Sequence, residues 1–170
     1  MIQDIQVGTY TYRDMVGMAG DALLSAQGRL LRARAMIPDS CACALGAPAS
    51  ALGPFNLAAL ASDGSLAGAV HLGAWRAQGG AYVARVMPGF PGLPLAEEVA
   101  RIGDLLERLL AAPLESDAGQ VTLVRLEWTI IPGNARMDAG QVEFKARPAL
   151  VVTETPGDGD CIEVAVEAAP

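Results

Sequence analysis

Histidine is almost missing from this sequence: His71 is the only one in 170 residues. A histidine-based catalytic triad or a multi-histidine metal centre has one such member to draw on. No nucleophile-elbow motif accompanies it, and its setting among alanines, leucines and glycines reads as a half-buried strand residue bonded to backbone. Cysteine is scarce as well. Cys41, Cys43 and Cys161 form an odd, sparse set, which argues against a secreted disulfide framework. Cys41-Ala42-Cys43 is too short for the usual zinc spacing, so all three are expected to be reduced, small and mostly buried. Positive charge is in short supply: 12 Lys and Arg stand against 19 Asp and Glu, a net charge of −7. Such a chain repels phosphate, which argues against a direct nucleic-acid reader or a polybasic membrane binder.

Other absences narrow the chemistry further. There is no Walker motif and no GxGxxG, and Gly89-x-x-Gly92 reads as a turn. Gly157-Asp158-Gly159-Asp160, with Glu154 and Glu163 nearby, lacks the spacing of an EF-hand and matches ordinary turn composition. Glu97 and Glu98 are adjacent on a helix and diverge, which is wrong for paired acid–base work. No basic flank followed by an apolar run opens the chain, and Pro48, Pro54 and Asn56 interrupt the Ala-rich span from Cys41 to Ala61. The expectation is a soluble protein, cytoplasmic when made, with no catalytic residues, no cofactor, no metal and no membrane partner.

What is present is apolar. Hydrophobic residues make up 52% of the chain and charged residues 18%, enough for one domain over residues 1–170 with a real core. A helix is expected from about Asp14 to Met36, with Met15, Met18, Ala22, Ala26 and Leu30 on one stripe and Pro38 as its stop. Arg29, Arg32 and Arg34 would complement its C-terminal dipole. Phe55–Ala61, Ser65–Trp75 and Ala81–Met87 read as a three-stranded meander, with Asp63-Gly64 a hairpin turn signal. The low charge between Ile37 and Ala74 points to one face packed on helices and part of the other meeting another chain. Phe55 and Leu57 are the candidates there.

After the stiff connector Met87–Pro94, a helix is expected over Leu95–Ala112, striped by Val99, Ile102, Leu106 and Leu109. Then come two alternating runs. Thr122, Val124, Leu126, Trp128 and Ile130 share one strand face, and Val142, Phe144, Ala146, Pro148, Leu150 and Val152 share another. Paired antiparallel, they would set Trp128 opposite Phe144 and Glu127 opposite Lys145. A short last strand is expected over Cys161–Val166. The expected fold class is therefore α+β: an antiparallel sheet, made of a three-stranded meander plus a long C-terminal hairpin, packed against two helices.

The second half, Pro94 to Glu154, with its helix AEEVARIGDLLERLLAAPL, long strand VTLVRLEWTII, polar loop and return strand VEFKARPALVV, resembles the C-terminal half of phage tail-completion or tail-terminator proteins. That resemblance implies a non-enzymatic structural subunit of a ring-like homo-oligomer, such as a hexamer, that caps or joins a tail tube in the virion. Its partners would be copies of itself and a tail tube or neck protein. The loop Pro132–Gly140 would make the contact, with Asn134, Arg136 and Met137 as interface candidates. Two other classes stay open. One is a small acidic dimeric secretion chaperone that masks a partner segment; the other is a small-molecule enzyme whose site carries no recognisable motif.

Overall fold

A computed structural model describes residues 1–34, 52 and 54–170. Two short strands open the chain, β1 (Ile5–Val7) and β2 (Tyr10–Asp14), where no strand was expected. Their alternation is written in aromatics: Tyr10 and Tyr12 are buried, with Thr11 half-buried and Arg13 exposed. Asp14 then accepts hydrogen bonds from Ile2 N at 2.9 Å and Val16 N at 3.1 Å, fixing a 3₁₀ turn over Met15–Gly17. The first helix, α1, starts only at Gly20 and reaches Arg34, so the expected start at Asp14 is corrected. An aspartate that caps a tight turn and a glycine at φ 64° interrupt the helical stripe. Met36 and Pro38, its expected end, lie outside the described residues.

Strands β3 (Phe55–Leu60), β4 (Leu66–Gln78) and β5 (Ala81–Gly89) follow as antiparallel neighbours. Helix α2 (Leu95–Ala111) leads through a small hairpin, β6 (Leu114–Ser116) and β7 (Gly119–Val121), into β8 (Leu123–Ile130). Helix α3 (Ala135–Lys145), β9 (Leu150–Pro156) and β10 (Ile162–Ala168) complete the chain.

The main sheet has eight strands in the order β1-β2-β3-β4-β5-β8-β10-β9. It is mixed, not antiparallel, because β5 and β8 run parallel. Parallel neighbours need a crossover, and α2 supplies it. This overturns the expected meander-plus-hairpin class. The expected long hairpin does not exist: residues 135–145 are helical, and β8 pairs with β10, which sets Trp128 opposite Val164 and Glu127 opposite Ala165. The reason lies at Asn134, whose Oδ1 accepts from Arg136 N at 3.1 Å and Met137 N at 3.2 Å. That cap, with Asp138 in the first turn and Lys145 in the last, starts and closes a helix over a stretch whose alternation looked like a strand.

Alternation across the strands divides the sheet into two faces. On one, Leu57, Val70, Leu72, Ala84, Val86 and Leu126 join Leu105, Leu106 and Leu109 of α2 and Phe144 of α3 in the main core. On the other, Ala58 and Ala69 meet Ala26 of α1. Trp128 and Phe144 do touch, edge to face at 5.8 Å, but as strand against helix and not across a ladder. Arg147 staples α2 to the end of α3. It donates to Asp104 Oδ1 at 2.9 Å, Glu143 Oε1 at 2.9 Å and Ala100 O at 3.0 Å. Burial pulls its proton affinity down, but the bonds to Asp104, Glu143 and Glu107 outweigh that and raise it. Cys161 is disulfide-bonded, so it is not the reduced thiol expected, and Cys41 and Cys43 lie outside the described residues. None of the described helices is long and apolar enough to cross a membrane.

Candidate functional site

The parallel pairing of β5 and β8 stops early. Tyr82 to Arg85 pair with Leu123 to Glu127, and beyond Arg85 and Glu127 the two strands have no ladder between them. Each still pairs on its outer side, β5 with β4 through Val86–Gly89 and β8 with β10 through Trp128–Ile130. The inner edges of the fork thus carry backbone donors and acceptors that no facing strand uses.

A cleft of about 120 Å³ fills this fork on the α2–α3 side. Val86, Met87 and Pro88 line it from β5, and Trp128, Thr129 and Ile130 from β8; Val99, Ile102 and Leu106 line it from α2, and Arg136, Met137, Gly140, Gln141 and Phe144 from α3. Most of that lining is apolar. The two helices are held over it by an ion pair: Arg136 Nε donates to Glu98 Oε2 at 2.8 Å, and its terminal NH2 also bonds Glu98. The Glu98 side chain is only 5% exposed, and its Oε1 also accepts from Phe90 N at 3.1 Å. Gln141 is 5% exposed, its Nε2 donates to Glu154 Oε1 at 2.8 Å, and its Oε1 is buried without a hydrogen-bond partner.

The opposite face of the fork is polar. Arg85 sits at the vertex, across from Glu127 on one side and Gly73 on the other. The His71 ring lies over Gly73, where an added Cβ would collide with its Nε2. His71 Nδ1 is 2.7 Å from Asn56 Oδ1, a side-chain partner. Arg85 donates to Glu163 Oε2 at 2.5 Å, and Thr129 donates to Glu163 Oε1 at 2.9 Å. Arg125 Nε is 3.0 Å from Glu127 Oε1. A second cavity of about 180 Å³ lies next to the fork, over β8, β10 and β9, lined by Arg125, Glu127, Thr153, Thr155 and Glu163, with Val164 and Ala165. Thr129 links the two sides. It lines the apolar cleft, and its hydroxyl is bonded to a carboxylate that lines the polar cavity.

The interface candidates fall in three places. Asn134 is the N-cap of α3. Arg136 and Met137 face the cleft, and Met137 Sδ accepts from Ile131 N at 3.3 Å. Phe55 is half-buried, edge-on to Trp75 at 5.4 Å, and Leu57 is fully buried. Much of the loop expected over Pro132–Gly140 is the first part of α3. Thr129 and the vertex pair Arg85 and Glu127 were not singled out as site residues, since strand register alone brings them together, and neither was Gln141, which α3 carries to the cleft.

No protein-family model matches the sequence, and no curated protein does. Solved structures do resemble it in fold. The apo form of FdhC, described as a nucleotide-linked sugar GNAT, aligns over 98% of this chain and 91% of its own at 12% identity, with a TM-score of 0.55. A GCN5-related N-acetyltransferase from Kribbella flavida aligns over 95% of this chain and 98% of its own at 16% identity, with a TM-score of 0.51. The shared property is the fold, which spans nearly the whole chain. It overturns the resemblance to phage tail-completion proteins, and with it the reading of a non-enzymatic ring subunit partnered by a tail tube or neck protein. That resemblance rested on a return strand from Val142 to Val152, of which Val142 to Lys145 belong to α3 and only the end, from Leu150, is strand.

Proposed function

We propose that the protein transfers an acyl group from a thioester to an amine, with the reacting carbonyl at the fork between β5 and β8. The observation that carries this reading is the fork itself. Beside the apolar cleft, a polar cavity lies over β8, β10 and β9, and Thr129, which lines the cleft, bonds the Glu163 carboxylate that lines the cavity. The unused strand edges suit an extended, amide-bearing arm, which would pair with backbone as an added strand does. The likeness in fold to structures described as GNAT and N-acetyltransferase supports the same chemistry.

The reaction joins the amine nitrogen to the carbonyl carbon, breaks the carbon–sulfur bond and yields an amide and a thiol. The proton lost from nitrogen needs an acceptor on the polar side. Glu127 is the residue placed for this, at the vertex and lining the polar cavity. Acyl-coenzyme A carries an arm of the required kind, and the mostly apolar lining of the cleft suits its methylene groups. Residues 90–94 contain no lysine or arginine, and Glu97 and Glu98 occupy the first turn of α2, so no phosphate site is assigned there.

The test is to incubate the protein with acetyl-coenzyme A or acetyl-pantetheine and a panel of primary amines. A chromogenic disulfide follows thiol release, and mass spectrometry identifies the acetylated product. Amine-dependent release is expected. No release with any donor and amine, together with no donor binding, would sink the reading.

A further inference from the structure

On the polar face, strand register sets six residues in two rows that cross β8, β10 and β9. In one row Glu127 stands opposite Ala165, and Ala165 opposite Thr153; in the other Thr129 stands opposite Glu163, and Glu163 opposite Thr155. All but Thr129 line the cavity of about 180 Å³, with Arg125 beside them. Ala165 occupies the middle of the first row. Its side chain is a single methyl, so a hollow opens between Glu127 and Thr153. Their strands lie two sheet spacings apart, about 9.5 Å, with room for one ring-sized molecule between side chains that reach in from both sides. Thr153 and Thr155 are exposed, so their hydroxyls are open to a ligand.

The chemistry of this lining selects among amines. No aromatic side chain is among the lining residues, so an aryl amine finds no ring to stack on. Each carboxylate already has a guanidinium beside it: Glu163 Oε2 takes Arg85 at 2.5 Å, and Glu127 Oε1 lies 3.0 Å from Arg125 Nε. A second ammonium on the ligand would meet no uncompensated charge, which disfavours a polyamine. Paired carboxylates still keep lone pairs for further donors, and threonine hydroxyls both donate and accept. Groups of that kind around a small apolar floor match hydroxyls. We infer that the amine acylated at the fork is a compact one bearing several hydroxyl groups, as an amino sugar does, with its nitrogen at Glu127 and its hydroxyls on Thr153, Thr155 and Glu163. The inference rests on the acyl-transfer reading and names the class of acceptor which that reading leaves open. Thr153 and Thr155 decide which amine is taken and have no part in the proton transfer.

Glucosamine and cyclohexylamine carry an amine on rings of the same size, and only the first carries hydroxyls; spermidine adds positive charge instead. Calorimetry gives their dissociation constants, and mass spectrometry follows acetyl transfer from acetyl-coenzyme A. Wild type is expected to bind glucosamine about tenfold or more tighter than either of the others. Thr153→Val and Thr155→Val keep the branched shape and remove the hydroxyl. Combined, they are expected to bring the ratio of glucosamine to cyclohexylamine affinity close to one, with melting curves recorded to show that the variant folds. Ala165→Leu fills the hollow and should abolish glucosamine binding; retained binding would place the sugar elsewhere and overturn the inference. Equal or tighter binding of cyclohexylamine or spermidine by wild type would also overturn it, as would an unchanged ratio in the double threonine variant. Acetyl transfer to those amines without preference would do the same while leaving the acyl-transfer reading standing. Glucosamine bound by wild type and lost in Ala165→Leu, with no acetylated product, would sink the acyl-transfer reading and support the ligand class alone.

Discussion

Glu98→Ala should be among the most damaging single substitutions on the functional side of the molecule. The carboxylate is 5% exposed and serves two elements at once. It pairs with Arg136 of α3 and accepts from Phe90 N, at the end of β5, at 3.1 Å. Removing one partner of a buried ion pair costs about 3–5 kcal/mol, because the other charge is stranded. Arg136 keeps 29% of its side chain exposed, so it can turn partly to water and the charge contribution falls to about 2–3 kcal/mol. The Phe90 N–H is left buried without an acceptor, adding about 1 kcal/mol or more. The sum is about 3–4 kcal/mol. Glu98→Gln retains an acceptor for Phe90 and loses the charge, for about half that cost. Urea unfolding followed by circular dichroism measures both, with the m-value checked for constancy. A Glu98→Ala change below about 1 kcal/mol would refute the reasoning, and so would equal costs for the two variants.

Three further outcomes are expected. Phe90→Ala removes a fully buried ring that meets Tyr10 at 6.2 Å and Tyr12 at 6.3 Å, and should cost about 3–5 kcal/mol in the same unfolding assay. Glu127→Gln should lower the acyl-transfer rate about 10²–10⁴-fold while melting temperature and donor affinity stay near wild type; an unchanged rate would remove Glu127 as base. Glu154 has a folded pKa below its ordinary value of 4.5, from its bonds to Lys145 and Gln141. Its contribution to stability is therefore present above pH 4.5 and lost as pH falls through the lower folded value. Glu154→Gln should reduce the acid-side fall in melting temperature, and an unchanged profile would contradict that.

Elements with one consistent signal were legible in the sequence. The stripe Val99, Ile102, Leu106 and Leu109 marks α2, and Asp63-Gly64 marks the β3–β4 turn, where Asp63 Oδ1 accepts from Ser65 N at 2.9 Å and Gly64 takes φ 80°. Residues 135–145 carried two signals. Val142, Phe144 and Ala146 alternate, while Met137, Gln141 and Phe144 recur at helical spacing behind the cap at Asn134. Cap and spacing won, and Val142 ends 72% exposed. Strand order was not legible at all, because β10 enters between β8 and β9 and β5 pairs in parallel with β8 through a crossover. The site inherits that difficulty. Arg85, Glu127, Thr129 and Glu163 form no motif along the chain, and only sheet register sets them around one fork. The charge of Glu127 read in sequence as a cross-strand partner for Lys145, which instead bonds Glu154 at 2.7 Å.

The most direct test of the fork as a donor site is calorimetric titration of acetyl-pantetheine into the wild-type protein and into Ile102→Trp, which fills the cleft from α2. One binding event per chain is expected for wild type, and none for the variant despite an unchanged circular dichroism spectrum. Binding retained by the folded variant, or absent from wild type, would contradict it.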